Sequence, residues 1–383
     1  MVHFSAVIWC TFHLLFAEVL GYINIAGKRV KLVRDNRKIK RKKEKIYDKK
    51  VLNALKEIWK IGDYICSKRL APYLSEIIPV LEKWGEIKLK PKVREKLFKI
   101  SAATIDRMFA DTRKRYRIKG RATTKPGTLL KKSILIRTFA DWDEKVPGFF
   151  EVDLVSHDGG ATRGDFIQSL NFTDIATGWE EMVAVKNKAQ VWVFAGIENI
   201  KERLPFSILG LDSDNGAEFI NAHLLRYCEQ NRITFTRSRP YRKNDSCFVE
   251  QKNYSVIRRA VGYSRYDTDK ELSILNELYG YLRLYVNFFQ PVRKLIKKER
   301  IGSKVIKRYD EAKTPYRRVL ASPDIKEEIK MKLENKYAML NPAELKRKIT
   351  KLQNRLLKLN ALKHREDLEK KEEPSSRYEY ISS

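Results

Sequence analysis

The chain has 383 residues, and 79 Lys and Arg against 48 Asp and Glu give it a formal net charge of +31. This length allows two or three domains and excludes a disulfide-stapled mini-protein. Because the positive charge runs along the whole chain, it predicts a polyanionic partner, and nucleic acid fits better than a membrane surface.

The four cysteines and five histidines are scattered and form no CxxC pair. This spacing supports neither a zinc finger nor a disulfide framework. We therefore expect a protein of the reducing cytoplasm, associated with the nucleoid through its charge, and with buried thiols.

The first segment, residues 1–50, joins an apolar stretch to a basic arm. Residues 1–27 carry one formal charge, Glu18, and residues 28–50 hold 13 Lys or Arg. The apolar stretch lacks the basic start and the cleavage site of a signal peptide, so we expect no membrane contact. Alternatives for this stretch are a core helix or the remnant of a further domain. The arm is either a contact for phosphates or a solubilising linker.

A helical region is predicted for residues 51–116. The segment "KLFKISAATIDRMF" has the outline of two short helices around a tight turn, with Ser101 as the N-cap of the second. In a helix-turn-helix, Thr104 and Arg107 would face the DNA groove while Ile105 packs inward. Three-helix packing without a role in DNA binding is the alternative.

Residues 117–147 predict an irregular linker, and a new domain is predicted for residues 148–290. Strands are expected at "FFEVDLVSH", "FIQSLNFTDI", "WEEMVAVKN", "FSILGLD" and "ITFTRS", with helices at 190–203 and 218–230. Three strands followed by alternating helix and strand predict a mixed α/β fold with helices on a mixed sheet.

Two further segments complete the chain. Residues 291–340 form a basic carboxy-terminal region with a predicted hairpin around Ile301 and Gly302, and residues 341–383 combine an amphipathic helix with a disordered tail. Leucine and isoleucine recur at alternating steps of four and three from Leu345 to Leu359. This spacing predicts either a short coiled-coil seam or an amphipathic docking helix.

Acidic residues end the predicted strands of the central domain. In "ILGLDSDNGAEF" the alternation of a strand places Asp212 and Asp214 on one face, and Asp214 falls where the strand gives way to a turn. Asp153 lies in the apolar context of "FFEVDLV". Glu250 in "NDSCFVEQKN" lies near the start of a helix, with 35 residues between Asp214 and Glu250. Neighbouring buried carboxylates raise one another's pKa unless a cation shares the site.

The order Asp153, Asp214, 35 residues, Glu250, within "SDNGAEF" and "KNDSCFVEQKN", resembles the integrase catalytic core of the DDE transposases and retroviral integrases. Bacterial insertion-sequence transposases carry similar signatures. The resemblance covers roughly residues 40–340. It implies a ribonuclease H-like core, preceded by the all-α helix-turn-helix region and followed by the small basic region with its coiled-coil-like helix.

The chemistry of the three acids agrees with this resemblance. Three hard oxygen ligands without His or Cys suit Mg²⁺ or Mn²⁺ rather than zinc. Two such ions can activate the attacking oxygen and stabilise the leaving oxygen at phosphorus. The resemblance implies that water cleaves DNA at the end of a mobile element and that the freed 3′-hydroxyl then attacks target DNA. It also implies that Asp153, Asp214 and Glu250 are the catalytic residues and metal ligands.

Basic residues around Glu250 are the expected contacts to the DNA backbone, which position DNA without reading its sequence. They are Arg239, Arg242, Lys243, Lys252, Arg258 and Arg259. Reading of the element's terminal repeats is expected from Ser101, Thr104 and Arg107. Asp212 is predicted to support the site from behind the ligands, and Asn215 and Asn253 either orient the catalytic loop or satisfy backbone groups.

The sequence thus predicts a transposase of a mobile element that binds DNA and two divalent ions, without a small-molecule cofactor. Transposition requires two element ends, so a homo-oligomer is expected. Two alternatives remain: a nuclease of the same fold that only hydrolyses, and an inactive transposase remnant that only binds DNA.

Overall fold

The computed structural model describes residues 17–35, 46–114, 135–136, 145–214, 216, 218–219, 221–237, 247–301 and 303–372. The chain divides into two compact units, residues 1–48 and 49–383.

The described part of the first unit is an antiparallel β-hairpin of β1 (Ala17–Ile25) and β2 (Lys28–Asp35). Its turn, Ala26 and Gly27, has positive φ at both residues, the backbone form that two-residue hairpin turns need. The core-helix alternative for residues 1–27 is therefore wrong for 17–25, where β-branched and aromatic residues pair with the basic strand. Residues 1–16 lie outside the described chain. Within its described part, no helix is long and apolar enough to cross a membrane.

The second unit begins with helices that bury one stripe each: α1 (Lys49–Ile61), α2 (Ser67–Lys83), α3 (Pro91–Lys99) and α4 (Ala102–Lys114). Their core includes Leu55, Leu74 and Ile105, and Trp59 stacks on Phe109 with ring centroids 4.4 Å apart. The helices α3 and α4 are separated by a two-residue turn, as the sequence pattern predicts.

A six-stranded mixed sheet forms the centre of this unit, in the order β3-β8-β7-β4-β5-β6. Its strands are β3 (Leu135–Ile136), β4 (Phe149–Ser156), β5 (Gln168–Asp174), β6 (Glu180–Val185), β7 (Gly210–Ser213) and β8 (Thr234–Arg237). The strands β4, β5 and β6 are antiparallel neighbours, whereas β4, β7, β8 and β3 run parallel. The mixed α/β class expected from the sequence is confirmed.

Helices cover the sheet: α5 (Gln190–Arg203), α6 (Ala222–Gln230), α7 (Cys247–Lys252), a π-helical turn (Asn253–Arg258), α8 (Arg259–Val261) and α9 (Asp269–Phe289). The start of α9 is fixed by a capping box between Thr268 and Glu271. The backbone of α5 lies close to the sheet at Gly196, where a Cβ atom would be 3.0 Å from the side chains of both Leu170 and Val185.

A second hairpin and three helices end the unit: β9 (Leu295–Ile301), β10 (Lys304–Tyr309), α10 (Pro315–Ala321), α11 (Glu327–Ala338) and α12 (Pro342–Glu372). The hairpin turns at the predicted place. Leu345, Ile349, Leu352 and Leu356 of α12 are buried within this chain, where the helix packs against α9. This packing favours the docking-helix alternative for the stripe, and the coiled-coil interpretation is not confirmed.

Candidate active site

Two aspartates meet where the pairing of the parallel strands β4 and β7 ends. The last paired residues of β4 and β7 are Val152 and Ser213, so Asp153 and Asp214 follow at the next position of the ladder. Asp214 lies just beyond β7, where its Oδ1 accepts a hydrogen bond of 2.8 Å from the Gly216 amide. The structure thus brings together two residues that are 61 positions apart in sequence.

Both carboxyl groups have pKa values above those of ordinary aspartates. Burial and the negative charge of Asp214 raise the pKa of Asp153 to about 8, and the Glu250 carboxylate contributes in the same direction. Burial raises the pKa of Asp214 as well, against a lowering by the Gly216 hydrogen bond. A cation between the two carboxylates would remove their repulsion and favour the charged forms.

The third acid, Glu250, lies on α7, whose start is held by the sheet. The Val249 amide donates a 2.6 Å hydrogen bond to Oε2 of Glu151, a buried residue two positions before Asp153 on β4. A carboxylate at a helix start accepts its unpaired amides and opposes its dipole. Since β4 carries both Glu151 and Asp153, one strand fixes the position of α7 and supplies an acid of the site.

The three acids are electrostatic neighbours, yet they do not form a closed ligand cage. In the ranges that the structure describes, no group of three or more His, Cys, Asp or Glu side chains is arranged to hold a metal ion. Glu250 is exposed, and its charge reaches both Asp153 and Glu151. The two aspartates fit one hard cation by their charge and oxygen donors, while Glu250 stands beside them.

Asn253 orients the carboxylate of Asp153. Its Nδ2 donates a 2.6 Å hydrogen bond to Asp153 Oδ2, and its Oδ1 accepts a 2.8 Å bond from Asn171. Asn171 is itself the partner of Asp153 in the antiparallel ladder of β4 and β5. The π-helical turn begins at Asn253, and these two bonds tie it to the sheet.

Asp212 lies on β7, two residues before Asp214, and is deeper in the protein. It is buried, pairs with Glu151 across the parallel ladder, and accepts a hydrogen bond from the Thr236 hydroxyl. Four acidic residues therefore share one face of the two strands, because residues two apart in a strand point the same way. Asp212 and Glu151 form the inner pair, and Asp153 and Asp214 form the outer pair.

Lys252 points into the protein rather than toward solvent. Its Nζ lies 2.8 Å from Glu180 Oε2, with side chains that are 10% and 0% exposed, respectively. The nearby Arg258 donates to the backbone carbonyls of Ser156 and Gly262 and lies over the Tyr263 ring. These two cations are used within the chain, which sequence spacing alone does not reveal.

Arg259 is exposed and forms an ion pair of 3.1 Å with Asp63. This contact joins the π-helical turn and α8 to the loop between α1 and α2. The remaining predicted members of the basic cluster, Arg239, Arg242 and Lys243, lie outside the described residues, as does Asn215.

The predicted helix-turn-helix residues lie at the start of α4. Ser101 Oγ accepts a 3.2 Å hydrogen bond from the Thr104 amide, which is the capping contact expected of it. Arg107 donates to the Thr104 hydroxyl, and Ile105 is buried. Ser101 and Arg107 are exposed on this helix.

Sequence reasoning missed Glu151 and Asn171. Glu151 precedes Asp153 by two positions in "FFEVDLV", so strand alternation could have placed it on the same face. Asn171 becomes visible only through the pairing of β4 with β5, a register that the sequence does not state.

Comparisons with known proteins give one sequence relative and several structural ones. No protein-family model matches the chain. The uncharacterized protein y4rM of Sinorhizobium fredii (strain NBRC 101917 / NGR234) is 40% identical over 272 residues, which cover 71% of this chain and 78% of y4rM.

Among solved structures, the catalytic core domain of BIV integrase has a TM-score of 0.30 at 17% identity, over 49% of this chain and 97% of that chain. The HTLV-2 integrase catalytic core domain in complex with magnesium has a TM-score of 0.29 at 13% identity, over 38% and 91% of the two chains.

Proposed function

We propose that this chain, which belongs to the same protein family as the uncharacterized protein y4rM, is a DDE-type transposase that cleaves DNA at element ends and joins them to target DNA. The observation that carries the proposal is that Asp153 and Asp214 each follow the last paired residue of the parallel strands β4 and β7, with the charge of Glu250 beside them. The signatures "SDNGAEF" and "VEQKN" surround two of these acids.

Asp153 and Asp214 would hold Mg²⁺ or Mn²⁺, since carboxylates without His or Cys are the donors that these ions prefer. Glu250 would complete the ligand set from α7. Bound in pairs, such ions supply charge neutralisation for the attacking and leaving oxygens of a displacement at phosphorus. Asn253 is a positioning residue, because its amide fixes the rotamer of Asp153 through a 2.6 Å hydrogen bond.

The net charge of +31 supports DNA as the partner. We assign recognition of the element ends to Ser101, Thr104 and Arg107 at the start of α4, and contacts to the phosphate backbone to Arg239, Arg242 and Lys243. Joining two element ends requires at least two copies of the chain. Because the leucine stripe of α12 is buried in the chain itself, a dimer would use another surface.

The test is nicking and joining of supercoiled plasmid with Mn²⁺, comparing the natural protein with Glu250→Gln, which keeps the side-chain shape and removes its charge. Glu202→Gln, which alters an exposed carboxylate on α5, is the matched control. We expect nicked and joined products from the natural protein and from the control, and neither product from Glu250→Gln.

The outcome separates the alternatives. Nicking without joining would contradict the transposase proposal and would indicate a nuclease that only hydrolyses DNA. DNA binding without metal-dependent products, in a folded protein, would favour the inactive remnant. Equal activity of Glu250→Gln and the natural protein would overturn the assignment of the site.

A further inference from the structure

A large cavity lies on the side of α7 opposite to Glu250. Its volume is about 560 Å³, and its walls come from α2, α7, the π-helical turn, α9, the second hairpin and α12. Phe248 and Lys252 line it. Each lies two residues from Glu250, about 200° around the helix, so the cavity faces away from the acidic site.

The charge of this cavity is one-sided. Eight of its lining residues are Lys or Arg, and among lining residues within the described chain Asp63 is the one acid. Asp63 is already shared, since Arg259 approaches it to 3.1 Å and Lys346 to 2.7 Å. Lys252, another of the eight, is paired with Glu180 outside the lining, so the two carboxylates together still leave most of the positive charge uncompensated.

Three of the cations turn to uncharged acceptors. Arg69 donates to the Pro291 carbonyl and to the side-chain oxygen of Gln290. Lys294 donates to the Ala176 carbonyl at 2.6 Å, and Arg293 donates to the Asp310 carbonyl at 3.0 Å. Burial lowers the pKa of Arg69 and of Lys294, which indicates that their charges are held away from water at a cost.

The cavity also has an apolar part. Leu282, Val286 and Ile349 line it together with the buried Tyr285. A volume of about 560 Å³ is in the ordinary range of pockets for small molecules, about 300–1,000 Å³. A ligand with several phosphate charges and one apolar or planar part matches both halves of the wall.

We propose that this cavity binds a phosphate-bearing ligand of nucleotide size. The guanidinium groups and ammonium groups from α2, the second hairpin and α12 converge on its phosphates, because charge-assisted hydrogen bonds to phosphate are the strong ones. The bound ligand also contacts Phe248 and Ser255, and so braces α7 and the π-helical turn from the side that Asp153 and Asp214 do not reach.

The first experiment is calorimetric titration of the full chain with inorganic tripolyphosphate and with ATP in physiological salt and EDTA. EDTA removes divalent ions that could bridge the anion to Asp153 and Asp214. We expect saturable binding of about one ligand per chain, and tighter binding of ATP if its base enters the apolar half. Absence of saturable binding of either ligand at millimolar concentration would overturn the proposal.

Variants distinguish the cavity from general attraction to a basic protein. Lys68→Glu removes an exposed cation of the cavity rim, and Ser255→Trp fills the cavity without changing its charge. Lys332→Glu makes the same charge change on the exposed face of α11, away from the cavity.

We expect at least about tenfold weaker binding for Lys68→Glu and Ser255→Trp, and little change for Lys332→Glu. Equal weakening by Lys68→Glu and Lys332→Glu, or full binding by both cavity variants, would contradict the proposal. Because the readout is binding in EDTA, it is independent of whether the protein cuts DNA, and a negative result here leaves the proposed function untouched.

Discussion

The buried ion pair between Lys252 and Glu180 gives the sharpest prediction about how the site's helix is held. Lys252 lies two residues after Glu250, and its Nζ reaches Glu180 Oε2 at 2.8 Å between side chains that are 10% and 0% exposed. Lys252→Met removes the cation and leaves the Glu180 carboxylate buried without it. Breaking such a pair costs about 3–5 kcal/mol of unfolding free energy.

The double variant Lys252→Met, Glu180→Gln removes both charges. Replacement of a whole buried pair is close to neutral, so we expect its stability to return to within about 1 kcal/mol of the natural protein. Lys348→Met is the control, because Lys348 and Glu344 form a surface pair with side chains 46% and 50% exposed. Its loss should change the free energy of unfolding little, because water screens an exposed pair.

The assay is urea unfolding followed by circular dichroism, with midpoints compared at unchanged slope. A loss below about 1 kcal/mol in Lys252→Met would refute the buried-pair reasoning. The same would follow from a double variant as unstable as the single one. DNA affinity measured on the double variant adds a second criterion: if affinity falls, Lys252 contacts DNA as the sequence interpretation proposed, whereas the structure predicts no change.

Three further predictions concern the core, the carboxy-terminal helix and the orientation of Asp153. Burial lowers the pKa of His157 to about 3, from 6.5 in the unfolded chain, so its contribution to stability is complete above pH 6.5 and is lost as the pH falls toward 3. The resulting loss of unfolding free energy is about 2 kcal/mol between pH 7.5 and pH 5. The variant His157→Gln should lack this part of the pH dependence in urea unfolding. Identical pH profiles of the variant and the natural protein would contradict the prediction. Leu356→Ala should lower the free energy of unfolding by about 2–5 kcal/mol in the same assay without changing the molecular mass measured by light scattering. The control Leu357→Ala changes a side chain that is 57% exposed and should lower it little. A change of oligomeric state in Leu356→Ala would instead indicate that the leucine stripe packs between chains. Asn253→Ala should lower metal-dependent nicking about 10–100-fold with plasmid binding intact, and Gln251→Ala, two residues earlier on α7, should not. Equal nicking rates for both variants would contradict the assignment of Asn253 as a positioning residue.

Much of the sheet could be predicted because its strands are bounded by local signals. The helix expected at 190–203 has those bounds in the structure, and the hairpin turns near Ile301 as predicted. The helix expected from residue 218 begins later, at Ala222, because Asn221 accepts the Leu224 amide and acts as its N-cap. Local alternation and capping chemistry carry this part of the fold.

Long-range partners could not be predicted from spacing. Lys252 was predicted to contact DNA as one of the basic residues around Glu250, whereas its side chain pairs with Glu180, which is 72 residues away. The stripe from Leu345 to Leu356 has the same spacing whether it packs on another chain or on α9 of its own. The acids Asp153 and Asp214 were predicted to converge, and the structure places each one residue after the last pair of β4 and β7.

The proposed cation site of Asp153 and Asp214 is tested most directly by Mn²⁺ binding in the absence of DNA, followed by electron paramagnetic resonance. Asp214→Asn is compared with the natural protein and with Asp158→Asn, an acid outside the pair whose carboxylate bonds the Gly160 amide. We predict Mn²⁺ binding by the natural protein and by Asp158→Asn, and affinity at least about tenfold lower for Asp214→Asn. Equal Mn²⁺ affinity in all three proteins would contradict it.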